Sequence, residues 1–313
     1  MSDTEFAKQE MATVLGPLRA AARANPQSAM AWADLGSAAA NLGGFDEAIT
    51  AFKEAIALDP TMPEPLINMG AILGHLGNYK EARRCFERAV AFEQTYPEVH
   101  SNLGHVLQEL GELELALKAC RRALELDPAN GDAAFNLHGL IYDEQNLEPA
   151  AQALEVALRA NPEDDRTCLF LGALYDDAGQ PEKAEKLFSK LHLDEAGNHP
   201  GLDAWGYVKT HRGPNTRLFA PTAITLRYGL EQAALDGLVL EFGVRFGTTL
   251  RIIAESVGQS EKSGQSVHGF DSFQGLPENW HAEPAGSYST QGTLPQVPDH
   301  VTLHEGWFEE TLP

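Results

Sequence analysis

Two acidic residues and two glycines near the C-terminus have the types and spacing of a nucleotide-binding turn. In "LVLEFGVRFGTTLRIIAES", Glu241 precedes Gly243 and Gly247, and a helix-like run follows. An apolar run with one acid is typical of a buried parallel strand, and the glycines allow a tight turn into a helix with unpaired N–H groups. Asp271 ends a second apolar run, where a carboxylate can accept hydrogen bonds from both hydroxyls of a ribose.

The spacing excludes two common phosphate-binding motifs. A dinucleotide-binding turn needs G-x-G-x-x-G, but Arg245 stands where the middle glycine belongs. The Gly-Lys-Ser/Thr of a P-loop is also absent. The remaining pattern, acid-x-Gly-x-x-x-Gly, resembles the first motif of class I S-adenosylmethionine (SAM) methyltransferases. A sulfonium nucleoside carries no pyrophosphate, so its site can dispense with the middle glycine.

Residues further along strengthen this resemblance. The stretches "GFDSFQGLPENW" and "GTLPQVPDHVTLHEGWFEETLP" are similar to the macrocin O-methyltransferase (TylF-like) group, and the similarity covers about 218–313. It implies that SAM is the cofactor and that the residues that bind it are Glu241, Gly243, Gly247, Asp271, Ser272 and Phe273. The first three would shape the pocket for the methionine part. Asp271 would hold the ribose, with the next two residues beside it.

The resemblance also predicts an incomplete domain. A third strand candidate, "HVTLHEGWF", is followed only by "FEETLP", whereas the family's sheet continues and a later Asp-rich segment supplies metal ligands and catalytic groups. The first strand would then keep an unpaired edge. We expect a truncated product without methyl-transfer activity: its catalytic residues are unknown, and a divalent metal belongs only to a full-length domain. His281 and the loop 282–293 are interpreted as a lid or substrate edge, or as a mobile surface segment.

Most of the chain before this region repeats every 34 residues. With residue 29 as position one, a small residue recurs at position eight and alanines recur at positions 20 and 27. This pattern resembles the tetratricopeptide repeat (TPR) family, with five repeats over 29–192. Each repeat is a pair of amphipathic helices that buries its apolar stripes only by stacking on its neighbours. His138 occupies position eight of the fourth repeat, so we expect it to loosen or reshape that repeat.

The predicted fold class is therefore mainly α, a TPR α-solenoid followed by a partial α/β Rossmann-like methyltransferase domain. The predicted segments are an N-terminal capping helix in 1–28, the repeats in 29–192, a linker in 193–217 and the methyltransferase-like part in 218–313. Gly, Pro, Asn and Asp are frequent at the start of the linker, as at domain boundaries. A helix over Pro221–Leu235 is expected before the first strand.

Asparagines recur on the face of the repeats that we expect to be concave. Asn68, Asn102 and Asn136 occupy position six of three consecutive repeats, and Asp34 and Phe170 interrupt the series at either end. An amide both donates to a peptide C=O and accepts from a peptide N–H, so the row predicts a site for an extended peptide. It is similar to the asparagine ladder of O-GlcNAc transferase TPRs. The alternative is that asparagine is simply common at this position of TPRs.

The predicted groove is acidic. Its charged positions are Glu64, Glu98, Glu109, Asp132, Asp143, Asp176 and Asp177, with His75, His105 and Tyr142 between them. The Lys/Asn clamp of chaperone-binding TPRs is not apparent. A basic or neutral protein segment is therefore the predicted partner, and a solvated acidic face without a ligand is the alternative.

Composition limits the remaining function classes. The 313 residues include 45 Asp and Glu but 23 Lys and Arg, a formal net charge of −22, which disfavours nucleic acid and anionic membranes as partners. Three widely spaced cysteines predict neither a disulfide framework nor a zinc site. No signal peptide or membrane span is evident, so a cytoplasmic location is expected. The leading hypothesis is a TPR-fused methyltransferase without its catalytic half; the alternatives are a pure interaction module and a glycosyltransferase-type TPR enzyme.

Overall fold

The computed structural model describes helices over the first two thirds of the chain and a small sheet after them. The described residues are 3–92, 95–193, 197–211, 226–230, 239–259, 266–277, 289–290 and 292–311, without the side chains of 3–12, 259 and 308–309. Among the described helices, none combines the length and the apolar character needed to cross a bilayer.

Five helix pairs form the repeats. They are α2 (Ala29–Asn41) with α3 (Phe45–Leu58), α4 (Pro63–His75) with α5 (Tyr79–Phe92), α6 (Pro97–Glu109) with α7 (Leu113–Leu126), α8 (Gly131–Leu140) with α9 (Glu148–Ala160), and α10 (Asp165–Asp177) with α11 (Pro181–Phe188). The first helices begin at residues 29, 63, 97, 131 and 165, so the structure confirms the predicted period and register.

Local sequence signals fix where the first helices start. Side chains of Ser28, Asn130 and Asp164 accept hydrogen bonds from backbone N–H groups in the first turns of α2, α8 and α10. Pro63 and Pro97 begin α4 and α6. Both devices suit a helix N-terminus, because the first N–H groups lack partners within the helix and proline has none to lose.

The fourth repeat departs from the others, as its sequence predicts. The turns of the other repeats contain a glycine with a positive φ, between 73° and 79°, and Gln145 takes its place in the fourth. Here α8 has 10 residues, whereas α4 and α6 have 13. Its His138 is buried and its Nδ1–H donates to the carbonyl of Phe135 within the same helix. The helix therefore ends early where both the small residue and the turn glycine are missing.

The core lies between the two helices of each repeat and between neighbouring repeats. Phe52 and Phe86 are fully buried, and a Cβ on Gly36 would come within 2.6 Å of the Phe52 ring, so only glycine permits this approach. Each second helix packs on the first helix of the next repeat, and α2, α4, α6 and α8 also touch in succession. Because the first helices approach one another more closely than the second helices do, they form the inner face of the stack.

Further helices cover the two ends of the stack. Helix α1 (Asp3–Ala24) buries Leu15 against the first repeat. Arg19 of this helix donates from Nε and Nη2 to the two carboxylate oxygens of Glu47, at 2.6 and 2.7 Å. Helix α12 (Pro200–His211) contacts α10, and its Trp205 Nε1–H donates to Asp176 at 2.8 Å. The predicted N-terminal capping helix is present. Part of the predicted linker, by contrast, forms α12, and the rest of it lies partly outside the described residues.

The C-terminal part forms a three-stranded parallel sheet. Strands β1 (Val239–Phe242), β2 (Val267–Asp271) and β3 (Val301–Glu305) lie in the order β1-β2-β3, with α13 (Thr248–Gln259) after β1 and the short α14 (Phe308–Thr311) at the end. The three predicted strands are confirmed. The expected Rossmann-like domain is reduced to this small sheet in the described residues. Of the helix expected over Pro221–Leu235, only 226–230 are described, and they are helical.

Candidate functional site

One face of α4 presents polar side chains to the interior of the curved stack. Glu64, Asn68, Ala71 and His75 follow one another at intervals of four, three and four residues, so they share one side of the helix. The corresponding side of α6 carries Glu98, Asn102, His105 and Glu109. The repeat therefore places a glutamate and an asparagine at like positions of these two helices, whereas the other two positions differ.

A groove of about 430 Å³ lies between α2 and α4 on this face. Ala40, Phe45 and Ile72 make its apolar walls, and Ser37 and Asn68 add polar groups. Small side chains keep the groove open, while the edge of the Phe45 ring meets His75, with ring centroids 5.4 Å apart. Apolar walls with a few fixed polar groups are the usual composition of a binding groove.

Two of the predicted asparagines bridge neighbouring first helices. Asn68 Nδ2 donates to Ser37 Oγ at 3.5 Å, and Asn136 Nδ2 donates to the carbonyl of Ser101 at 3.4 Å. These bonds fix the orientation of both amides by using one N–H of each. Asn102 is half-buried and makes no such bond within the described part of the chain. Each of the three carbonyl oxygens can still accept from a guest.

The predicted acidic groups have different surroundings. Glu64, Glu98 and Asp132 are exposed, hold position two of successive repeats, and make no ion pair among the described residues. Burial raises the pKa of Glu109, and the neighbouring His105 offsets part of this rise. Two others serve the fold, because Asp143 accepts from the N–H of Gln145 at 2.9 Å and Asp176 accepts from Trp205 and from Lys209 Nζ at 2.6 Å.

An aromatic cluster that sequence reasoning missed lies at the far end of the inner face. The rings of Phe135, His138 and Phe170 meet edge to face, with centroids 4.9 to 5.8 Å apart. Phe170 is 42% exposed. Two departures from the repeat pattern, at His138 and Phe170, were the sequence signal for this cluster, because they fall on adjacent first helices.

The second candidate site lies at the carboxyl end of the sheet. Gly243 and Gly247 have φ of 79° and 70°, in the left-handed region that favours glycine, so the turn between β1 and α13 depends on them. Asp271 ends β2, where its Oδ2 accepts from the N–H of Arg245 and its Oδ1 from the N–H of Phe273, both at 2.7 Å. The structure thus brings Gly243 and Asp271 together across the ends of β1 and β2.

The remaining predicted cofactor residues pack around this turn. The Glu241 carboxylate accepts a hydrogen bond from Thr249 Oγ1. Burial raises the pKa of this carboxyl, the bond from Thr249 offsets part of the rise, and nearby Asp271 adds to it. Ser272 Oγ donates to the carbonyl of Gly275 at 3.4 Å, and the Phe273 ring is fully buried. His281 and most of the loop 282–293 lie outside the described residues.

Comparisons with known proteins assign the repeats. Models described as tetratricopeptide repeat match residues 18–63, 42–105, 97–130 and 142–201. The stretch 131–141, which none of these matches covers, corresponds to the shortened α8. No curated protein is a significant match to the chain.

Solved structures share the helical part. The chain is similar to PilF of Pseudomonas aeruginosa, with 24% identity and a TM-score of 0.51 over 57% of this chain and 82% of that one. It is also similar to the APC/C hetero-tetramer Cut9-Hcn1, with 19% identity and a TM-score of 0.52 over 63% and 39%. The TPR protein YrrB gives 22% identity and a TM-score of 0.45 over 55% and 89%. The likeness to the first two concerns the fold, and over residues 18–130 and 142–201 this chain is built of tetratricopeptide repeats and is a TPR protein.

Proposed function

We propose that this chain is a protein-interaction module whose inner face binds an extended segment of neutral or basic character. The observation that carries the proposal is the register of the inner face: acids recur at position two and amides at position six of the second, third and fourth repeats. A segment lying across α4, α6 and α8 would meet the same pair of groups in each repeat. The amides suit its backbone and the acids suit its basic side chains.

The charge state of the inner face supports a basic partner. Ion pairs hold acids such as Glu47, Glu87 and Glu112 to arginines of α1 and α5. The exposed acids of position two, Glu64, Glu98 and Asp132, have no such pair within the described residues, so a basic guest displaces no internal cation. Exposed ion pairs contribute about 0.2–1 kcal/mol each, so affinity would come from several of them together with backbone hydrogen bonds.

Neutralising this row tests the proposal. We expect Glu64→Gln, Glu98→Gln and Asp132→Asn together to weaken binding of a Lys-rich peptide about tenfold at low salt, since three pairs of about 0.5 kcal/mol are lost. The effect should shrink as salt screens the charges. Fluorescence anisotropy with labelled Lys-rich, Ser/Gly-rich and Glu-rich peptides measures it.

A matched triple variant controls for net charge. Glu54→Gln, Glu114→Gln and Glu185→Gln remove three exposed acids from the second helices α3, α7 and α11. We expect this variant to bind the Lys-rich peptide like the unmodified chain. Equal weakening by both triples would show that only the overall charge attracts the peptide, and the inner-face proposal would be wrong.

A second candidate function concerns the sheet. We propose that its carboxyl end binds a nucleoside cofactor, S-adenosylmethionine, as the TylF-like resemblance implies. What supports this is the position of Asp271 at the end of the central strand, beside the turn that contains Gly243 and Gly247. Each of its carboxylate oxygens accepts one backbone N–H and keeps capacity for a hydroxyl. Glu241, Gly243, Gly247, Ser272 and Phe273 would complete the pocket. Methyl transfer is not part of this proposal.

Calorimetry with SAM tests the second candidate. We expect the chain to bind SAM and Asp271→Asn to weaken binding about tenfold or more, because hydrogen bonds to charged groups contribute about 1.5–3 kcal/mol. Asn keeps an acceptor oxygen for the turn, and Asp299→Asn, at an exposed position, is the control. Absence of binding heat with a folded chain would contradict this second candidate.

A further inference from the structure

The aromatic cluster at the C-terminal end of the inner face interrupts its polar pattern. Phe170 occupies position six of the fifth repeat, where the three preceding repeats have asparagine. Its side chain is 42% exposed, which few large apolar side chains of the described first helices match. Phe135 and His138 of α8 flank it, with ring centroids 5.8 and 5.4 Å away. The cluster therefore forms an apolar patch where the fourth and fifth repeats meet.

His138 lies buried beneath this patch as a neutral ring. It is 5% exposed, its Nδ1–H donates to the Phe135 carbonyl, and its Nε2 has no hydrogen-bond partner among the described residues. Burial lowers its pKa to about 4, so the ring carries no charge near pH 7. Phe170 therefore packs edge to face against uncharged rings, an arrangement that aromatic pairs favour.

The rim of the cluster is charged and partly open. The Arg166 guanidinium lies over the Phe135 ring, 4.9 Å from its centroid, and 3.8 Å from Asp164. A cavity of about 280 Å³ lies beside these three residues and also contacts Asp132. There is thus room beside Phe135, one member of the cluster, for a further side chain.

The charge pattern indicates what kind of segment reaches this place. Position two is acidic in the second, third and fourth repeats, and becomes basic at Arg166 in the fifth. A basic segment is complementary to the groove as far as α8, and its complementarity ends where the exposed ring begins. The residue that lies on α8 and α10 should therefore be apolar rather than basic.

We propose that Phe170, Phe135 and His138 form an anchor for an aromatic or large aliphatic side chain of the bound segment. The inference rests on the proposed interaction function and specifies its partner: an extended segment with basic residues and one large apolar side chain at the end that lies on α8 and α10. Exposed aromatic surface that becomes buried is a frequent source of affinity in interfaces. The anchor also sets the register, because the polar groups of α4, α6 and α8 repeat and do not distinguish one residue of a guest from the next.

Two labelled peptides test the anchor with the full chain. Both peptides consist of Lys, Ser and Gly except at one position near one end, which is Trp in the first peptide and Ala in the second. We expect the Trp peptide to bind about tenfold more tightly by fluorescence anisotropy. Phe170→Ala should abolish this preference and leave the affinity for the Ala peptide unchanged. Phe92→Ala removes a ring of α5 that is slightly more exposed, at 49%, and should preserve the preference.

The outcomes separate the anchor from the underlying function. Equal binding of the two peptides by the unmodified chain, or a preference that survives in Phe170→Ala, overturns the anchor but leaves the basic groove in place. Failure of both peptides to bind overturns the groove as well. A circular dichroism spectrum and a thermal midpoint for each variant show that it is folded.

Discussion

Phe86→Ala is expected to lower the free energy of unfolding by about 3–5 kcal/mol, the range found for removal of a buried phenylalanine. The ring is 1% exposed, belongs to the large cluster of the first three repeats, and lies where a Cβ on Gly70 would be 2.9 Å from it. Its removal leaves a cavity at the contact between α4 and α5. Chemical denaturation followed by circular dichroism at the helix band measures the change.

The consequence of this loss extends beyond one repeat. A solenoid is stabilised by contacts between neighbouring repeats, so a weak second repeat uncouples the first from the third. We therefore expect a broader transition as well as a lower midpoint. Phe92→Ala in the same helix is the control, because that ring is 49% exposed, and we expect it to change stability by less than about 1 kcal/mol. Similar losses in both variants would contradict the described packing of α5.

Acidification should destabilise the fourth repeat through His138. Burial lowers the folded-state pKa of this residue to about 4, against an ordinary value of 6.5, so the unfolded chain binds the proton more readily. The stabilisation is therefore complete above about pH 6.5 and is lost as the pH falls towards 4. A shift of one pKa unit corresponds to about 1.4 kcal/mol, so titration of this residue alone lowers the free energy of unfolding by about 3 kcal/mol at pH 4.

A non-titrating variant isolates this contribution. In His138→Asn the loss of stability between pH 7 and pH 4 should be about 3 kcal/mol smaller than in the unmodified chain, in matched urea denaturation series. His192→Asn is the control: its partner Asp165 raises the pKa of this exposed ring, so its contribution is lost as the pH rises. An unchanged pH dependence in His138→Asn would mean that the ring is accessible to protons in the folded state.

The regular part of the fold could be predicted because each repeat carries its own structural signals. Small residues such as Gly36 stand where a ring of the second helix must pass, and the period alone places them. The departure at His138 also identified the repeat that is reshaped. The three strands followed from short, mainly apolar runs that end at turns, a pattern typical of parallel strands.

Contacts between distant segments could not be predicted in this way. Asp176 belongs by register to the inner face, but Trp205 and Lys209 of α12 engage it after the period has ended. Asn68 and Asn136 lie where a ladder requires them, but each donates one amide N–H to the preceding repeat. The aromatic cluster joins two irregular residues from different repeats, and a search for recurrent positions discards both.

Hydrogen exchange with and without the bound Lys-rich peptide tests the central claim, binding on the inner face, most directly. We predict that protection increases in peptides from α4, α6 and α8, around Asn68, Asn102 and Asn136, and does not change in α3, α5 and α7. Protection confined to the second helices, or to the sheet around Asp271, would contradict the proposal that the inner face of the repeats is the binding surface.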